Sequence, residues 1–264
     1  MSKSQVVRLG ERLISSASPS EDDLTDLSRL LLAYDEALES ALGTVRGLGF
    51  TPSSRVKNTG TVLEKLRRHG GSWLKSMQDL AGMRIVLDGG RREQDRVTET
   101  LMGVFQEESR APRLVDRRKD PSSGYRAVHV IVYPGGLPVE IQVRTRWQHE
   151  WADMFEKLSD LVGRGIRYGE PPEHRRHRLA DHAESLTPEQ ETGLDLRYDT
   201  AYRRRASMVD LAIAVSDVIS TLEQAEAAGV GEGDPGVQEG WRRVHDYLAK
   251  LREDMNEMAL ARDV

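Results

Sequence analysis

From Val139 to Thr145 apolar and polar residues alternate without a break, Val139, Ile141 and Val143 against Glu140, Gln142 and Arg144. A period of two predicts a β-strand over 139–144 with one buried face. A second strand is predicted around Arg126–Tyr133, and Pro134-Gly135-Gly136-Leu137-Pro138 between them reads as the loop of a hairpin. Upstream, Asp79–Leu87 reads as a helix end running into a short buried strand, stopped by Asp88-Gly89-Gly90, and Arg113–Asp116 as a further short strand.

Elsewhere the period changes to that of helices. Residues 4–17 and 22–48 fit amphipathic helices, the second with Leu24, Leu27, Leu30, Leu31, Tyr34, Leu38 and Leu42 on one stripe. Ser20 before Glu21, Asp22 and Asp23 is an N-terminal signal, and Gly47 and Gly49 end that helix. Residues 51–58 read as a polar loop and Thr61 to Arg68 as a helix, with further helices over 94–105 and 145–162. Residues 163–198 read as a loop with short helical pieces. Helices over 200–228 and 237–261 follow, joined by a linker over 229–236. Their apolar stripes (Met208, Leu211, Val215, Val218, Leu222; Val244, Tyr247, Leu248, Leu251, Met255) fit packing surfaces and would also suit subunit contacts. This order predicts an α+β fold, a mixed sheet with N- and C-terminal helical extensions. In sequence it divides into a helical region over 1–49, a core over 50–162, and a loop and helical region over 163–264.

Composition narrows the chemistry. The 264 residues contain no cysteine, which excludes thiolate catalysis and cysteine-held zinc and suits a reducing, cytoplasmic setting. No apolar run approaches ~18 residues, so no membrane span is expected, and the first residues lack a secretory pattern. The net charge of −5 argues against a nucleic-acid coat but leaves room for a local basic site.

Chemistry concentrates on the polar face of strand 139–144. A carboxylate, an amide and a guanidinium in line suit the floor of a polar site that holds a cation beside an anion. Gly124-Tyr125-Arg126-Ala127-Val128-His129 adds an aromatic, an arginine and a histidine. Taken in order, Arg55-Val56-Lys57, Lys65, Asp79-Leu80-Ala81-Gly82-Met83-Arg84-Ile85, Gly124 to His129, and Glu140-Ile141-Gln142-Val143-Arg144-Thr145 resemble the RelA/SpoT alarmone-synthetase family over residues 50–160. The eleven-residue step from His129 to Glu140 matches as well.

The resemblance implies a nucleotidyltransferase-like fold and transfer of the β,γ-pyrophosphate of ATP to the 3′-hydroxyl of GDP or GTP, with Mg²⁺ as cofactor. It implies Asp79 and Glu140 as metal ligands, Glu140 also as acceptor of the hydroxyl proton. Arg55, Lys57, Lys65 and Arg84 would clamp ATP phosphates, and Arg92 would stack on adenine. Tyr125 would stack on the acceptor base, His129 would touch acceptor phosphate or ribose, and Gln142 and Arg144 would position these groups. The residue types suit the reaction: pyrophosphoryl transfer needs charge neutralisation and in-line positioning, magnesium takes few carboxylates plus phosphate oxygens and water, and arginine gives bidentate phosphate contacts.

Three departures touch acceptor choice. Many relatives carry Pro-Lys shortly before Gly-Tyr, whereas here Arg117-Arg118-Lys119 lies upstream of Pro121. Thr61 stands where Ser is usual, and Leu63 where a basic residue is common. Nothing resembles the hydrolase domain or regulatory tail of the long bifunctional relatives, so the expectation is a single-domain small alarmone synthetase. Its helices over 22–48, 200–228 and 237–261 would be candidates for homo-oligomer contacts. The alternatives left open are a toxin-type member acting on the tRNA 3′ CCA end or on an adenosine nucleotide, with an antitoxin partner, and a catalytically degenerate nucleotide binder. A second basic set (Arg164, Arg167, Arg175, Arg176, Arg178, Arg203 to Arg205) reads first as a solvated face and second as a groove for a nucleic-acid backbone.

Overall fold

The computed structural model describes residues 1–108, 110–173, 187–231 and 233–260. The chain forms two compact units that interleave in sequence. The first comprises Met1–Asp88, Arg92–Asp116 and Ala127–Arg144, the second Gly89–Arg91, Arg117–Arg126 and Thr145–Val264.

The first unit is built on a sheet. Its strands are β1 (Ser53–Val56), β2 (Ala81–Leu87), β3 (Arg113–Asp116), β4 (Val128–Val132) and β5 (Val139–Thr145), in the order β1-β2-β5-β4-β3. The sheet is mixed, as expected, with β1 antiparallel to β2 and β4 antiparallel to both β3 and β5. The hairpin register pairs Val128 with Val143, His129 with Gln142 and Ile131 with Glu140. Gly135 and Gly136 take positive φ in its loop, a conformation that glycine adopts without strain.

Helices α1 (Lys3–Ile14), α2 (Glu21–Gly47), α3 (Thr59–His69) and α4 (Arg91–Val104) accompany this sheet. Ser20 accepts from the Asp23 amide and caps α2, as its position before three acidic residues predicts. The apolar stripe of α2 (Leu27, Leu30, Tyr34, Leu38, Leu42) is buried with Met83, Ile85, Ile141 and Val143 in one continuous core. Tyr34, dry on that face, has its phenol pushed up to about 12 by burial. Gly10 of α1 meets the turn at Gly71 so closely that an added Cβ would lie about 2.1 Å from the Gly71 carbonyl oxygen.

Two expectations change here. Residues 51–58 do not form only a loop: Ser53–Val56 is an edge strand, Arg55 opposite Gly82 and Ser53 opposite Arg84. With one apolar residue in four, it offers no alternation to read. The helix end expected at Asp79 is a turn instead, preceded by a 3-10 turn over Gly71–Ser76.

The second unit is helical. It contains α5 (Arg146–Val162), a 3-10 turn over Arg164–Tyr168, α6 (Pro188–Ala227) and α7 (Pro235–Leu260). Thus α6 begins some twelve residues before the helix expected from 200. Trp151, Phe155 and Leu158 of α5 pack with Met208, Val215 and Ile219 of α6 and Val244, Leu248, Leu251 and Met255 of α7. The stripes expected on these helices are therefore largely spent inside this core, while Val218 and Tyr247 remain exposed. No described helix is long and apolar enough to cross a membrane.

Candidate active site

The expected polar face of β5 is a bonded ladder. Arg144 Nη2 donates to Gln142 Oε1 at 2.7 Å, and Gln142 Nε2 donates to Glu140 Oε2 at 2.7 Å. His129 on β4 sits opposite Gln142 in register, and its Nδ1 reaches diagonally to Glu140 Oε1 at 2.9 Å. Both Glu140 oxygens are thereby engaged, and its side chain is only 13% exposed.

A buried carboxylate is ordinarily driven towards its neutral form. Burial pushes the Glu140 pKa up, and the Asp79 charge adds to that. The hydrogen bond and charge of His129, with the bond from Gln142, outweigh both and hold it below the usual carboxylate value. Glu140 is therefore ionised at neutral pH.

Asp79 lies just ahead of β2 and carries two ammonium groups on one oxygen. Lys65 Nζ of α3 is 2.6 Å from Oδ2, and Lys57 Nζ, directly after β1, is 3.2 Å from it. The lysines converge because the Lys57 amide continues the β1–β2 pairing onto the Leu80 carbonyl and because Asn58 caps α3. Burial again opposes the Asp79 charge, and the two lysines overcome it, so its pKa lies below the ordinary value. Lys57 is lowered, chiefly by burial, although Asp79 works the other way.

These groups border a cavity of about 260 Å³ lined by Ser53, Ser54, Arg55, Lys57, Asp79, Gly82, Met83, Arg84, Glu140 and Gln142. The first unit thus brings together six of the expected site residues: Arg55, Lys57, Asp79, Arg84, Glu140 and Gln142. Three more are bonded to the lining: Lys65 to Asp79, His129 to Glu140 and Arg144 to Gln142. Gly82 keeps the floor open beside β5, since a Cβ there would meet the Glu140 carbonyl oxygen at 3.1 Å. Ser53 and Ser54 went unnoticed in sequence because their strand did, and Met83 because its type signals core.

The two remaining expected residues are not among the lining. Arg92 is exposed on the first turn of α4 and is not part of the cavity lining. Tyr125 belongs to the second unit, where its half-buried ring packs against the cluster that includes Trp151. Gly124 before it is irreplaceable by packing as well as by its φ of 83°, because a Cβ would lie 2.9 Å from the Trp151 ring.

The site therefore offers two ionised carboxylates and a set of cations around one cavity, an arrangement that can hold a polyphosphate. Residues 54–159 match the family described as the region found in RelA / SpoT proteins. The chain carries a RelA/SpoT domain. Its cavity-lining residues fall within that match except Ser53.

Two uncharacterized mycobacterial proteins, Rv1366 of Mycobacterium tuberculosis and Mb1401 of Mycobacterium bovis, are each 37% identical to the chain over 178 residues. The aligned stretch is 65% of this chain and 64% of each relative, so the chain spans just under two thirds of the curated relatives it matches. Among solved structures, the small alarmone synthetase 1 from Bacillus subtilis bound to its product pppGpp is 25% identical, at a TM-score of 0.46, over 67% of this chain and 99% of that one. A GTP pyrophosphokinase family protein from Streptococcus pneumoniae is 20% identical, at a TM-score of 0.41, over 75% and 96% of the two chains.

Outside the RelA/SpoT domain, four of the described arginines of the second basic set are paired with acceptors of their own unit, and Arg203 is exposed. Arg167 bonds Ser159 and the Glu156 carbonyl, Arg164 pairs with Asp160, Arg204 with Asp254 and Glu257, and Arg205 with the Glu173 carbonyl. Arg175, Arg176 and Arg178 lie outside the described residues.

Proposed function

We propose that the RelA/SpoT domain is an ATP-dependent pyrophosphokinase that moves the β,γ-pyrophosphate of ATP to the 3′-hydroxyl of GDP or GTP. The observation that supports this most is the pairing in one cavity of Asp79, caged by Lys57 and Lys65, with Glu140, held ionised by His129 and Gln142.

In this reading Lys57, Lys65, Arg55 and Arg84 neutralise the triphosphate. The two lysines transfer from Asp79 Oδ2 to phosphate oxygens when ATP enters, so the ligand-free ion pairs keep the cations assembled and partly desolvated. The acceptor 3′-oxygen attacks the β-phosphorus, the bond between that phosphorus and the α,β-bridging oxygen breaks, and AMP leaves with the bridging oxygen. Glu140, charged at neutral pH, takes the hydroxyl proton, and His129 and Gln142 keep its carboxylate aimed.

The donor set fits magnesium: Asp79 and Glu140 are hard oxygen ligands on one cavity, and the described residues bring no cluster of three acidic or histidine ligands together, which suits an ion that completes its shell with phosphate and water. Asp79 and Glu140 would hold it, and when bound it would neutralise developing phosphate charge.

The test is an acceptor panel. The full chain is incubated with ATP, magnesium and GDP, GTP, ATP alone or tRNA, and the products are resolved. AMP formation that needs GDP or GTP is expected. Labelling of tRNA or of an adenosine nucleotide alone would overturn the acceptor, and nucleotide binding without turnover on any acceptor would overturn catalysis.

A further inference from the structure

Both carboxylates of the first unit's cavity are held by the protein's own donors. Lys65 Nζ and Lys57 Nζ lie 2.6 Å and 3.2 Å from Asp79 Oδ2, and none of the three side chains is more than 33% exposed. Glu140 gives Oε1 to His129 and Oε2 to Gln142. Arg55 and Arg84 line the same cavity. Four cations therefore face two carboxylates, a surplus of two positive charges before His129 is counted.

Electrostatics ranks the ligands of such a site. A bare divalent cation meets a cavity of its own sign and has to compete with two ammonium groups for Asp79 Oδ2. A polyphosphate meets the opposite sign and can supply oxygens to all four cations. The cage is also short of anion, because two ammonium groups share one oxygen. Burial already lowers the Lys57 pKa against the pull of Asp79, so a further anion relieves both lysines. The Lys57 amide is tied to the Leu80 carbonyl, and Lys65 stands on a helix capped by Asn58. Letting go of Asp79 thus asks only for side-chain rotation.

We propose that Lys57 and Lys65 form a latch on Asp79, which keeps the cavity closed to a bare divalent cation until a polyphosphate draws the two ammonium groups away. Polyphosphate then binds first and without metal, and the cation comes with it or after it. The ligand class is linear polyphosphate, with or without a nucleoside attached. The inference rests on the proposed function only in taking Asp79 as a magnesium ligand; the caged oxygen and the charge surplus do not depend on the acceptor.

The test measures binding to the full chain and needs no turnover. Inorganic tripolyphosphate is titrated in EDTA by calorimetry. Manganese, a spectroscopically visible stand-in for magnesium, is titrated alone by loss of its free-ion EPR signal. The wild type should bind tripolyphosphate without metal and hold manganese poorly. Lys65→Met should lose tripolyphosphate affinity and bind manganese about tenfold or more tighter than the wild type, the scale on which a neighbouring cation shifts a carboxylate's hold on a proton. Adding Asp79→Asn to that variant should abolish the gained manganese binding, which a general loosening of the fold would not do. Lys57→Met gives the same reading if Lys65→Met does not fold. Manganese binding to the wild type as tight as to the lysine variants, or tripolyphosphate binding that requires metal, would overturn the latch. The proposed function fails separately, in the acceptor panel: a chain that turns over no acceptor but shows these binding differences keeps the latch.

Discussion

Lys65 Nζ donates to Asp79 Oδ2 at 2.6 Å, and it shares that oxygen with Lys57. One carboxylate thus gathers two cations beside the carboxylate of Glu140. Asp79→Asn would leave the ammonium groups facing each other without a counter-charge. Loss of pyrophosphate transfer by about 10²-fold or more is expected, the scale for removing one electrostatic element of a transfer site. Lys65→Met should instead raise the KM for ATP above all, and steady-state kinetics separates the two.

The His129–Glu140 contact makes a pH prediction. Burial raises the Glu140 pKa, and His129 is the foremost group opposing it. His129→Ala removes that opposition, so the folded-state pKa of Glu140 rises. The acid limb of the kcat/KM profile should move to higher pH than in the wild type. An unmoved limb would mean that Glu140 does not govern it.

Stability should carry the same signature. Asp79 and Glu140 both have folded-state pKa values below their ordinary ones. Groups lowered on folding stabilise the native state above their unfolded pKa values, about 4, and that contribution is lost as pH falls through the folded values. The urea midpoint should therefore drop as pH falls below about 4, and the drop should be shallower in Asp79→Asn.

Packing gives a prediction independent of chemistry. Gly10→Ala would drive a methyl group into the Gly71 carbonyl. Since backbone on both sides must yield, destabilisation of about 2–3 kcal/mol, towards the upper end for overpacking, is expected in urea unfolding. Gly43→Ala, in the open on α2, should be neutral or slightly stabilising.

Much of this was legible in the sequence, for physical reasons. Strand β5 alternates cleanly, so its polar ladder could be read as one face. The helices α2, α5 and α7 announced themselves by period. Strand β1 did not, because Ser53-Ser54-Arg55-Val56 pairs only along one edge and has little to bury. The cage around Asp79 was half visible: its members were named, but that both lysines meet one oxygen depends on α3 folding back fourteen residues from Asp79. The hold of α6 on Arg91, Arg126 and Thr145 left no local trace, since hydrogen bonds across 78 to 132 residues have no periodicity. Tyr125 reads in sequence as a base-stacking ring, and the structure gives its half-buried ring a place against the Trp151 cluster of the second unit.

The central claim is transfer from ATP to an acceptor hydroxyl at the Asp79–Glu140 cavity. Its most direct test is the stoichiometry of AMP and acceptor product, by mass spectrometry, in the wild type and in Glu140→Gln. The account predicts one AMP for each GDP or GTP that gains two phosphates, and neither product in the variant. ADP as the nucleotide product, or equal yields from both proteins, would contradict it.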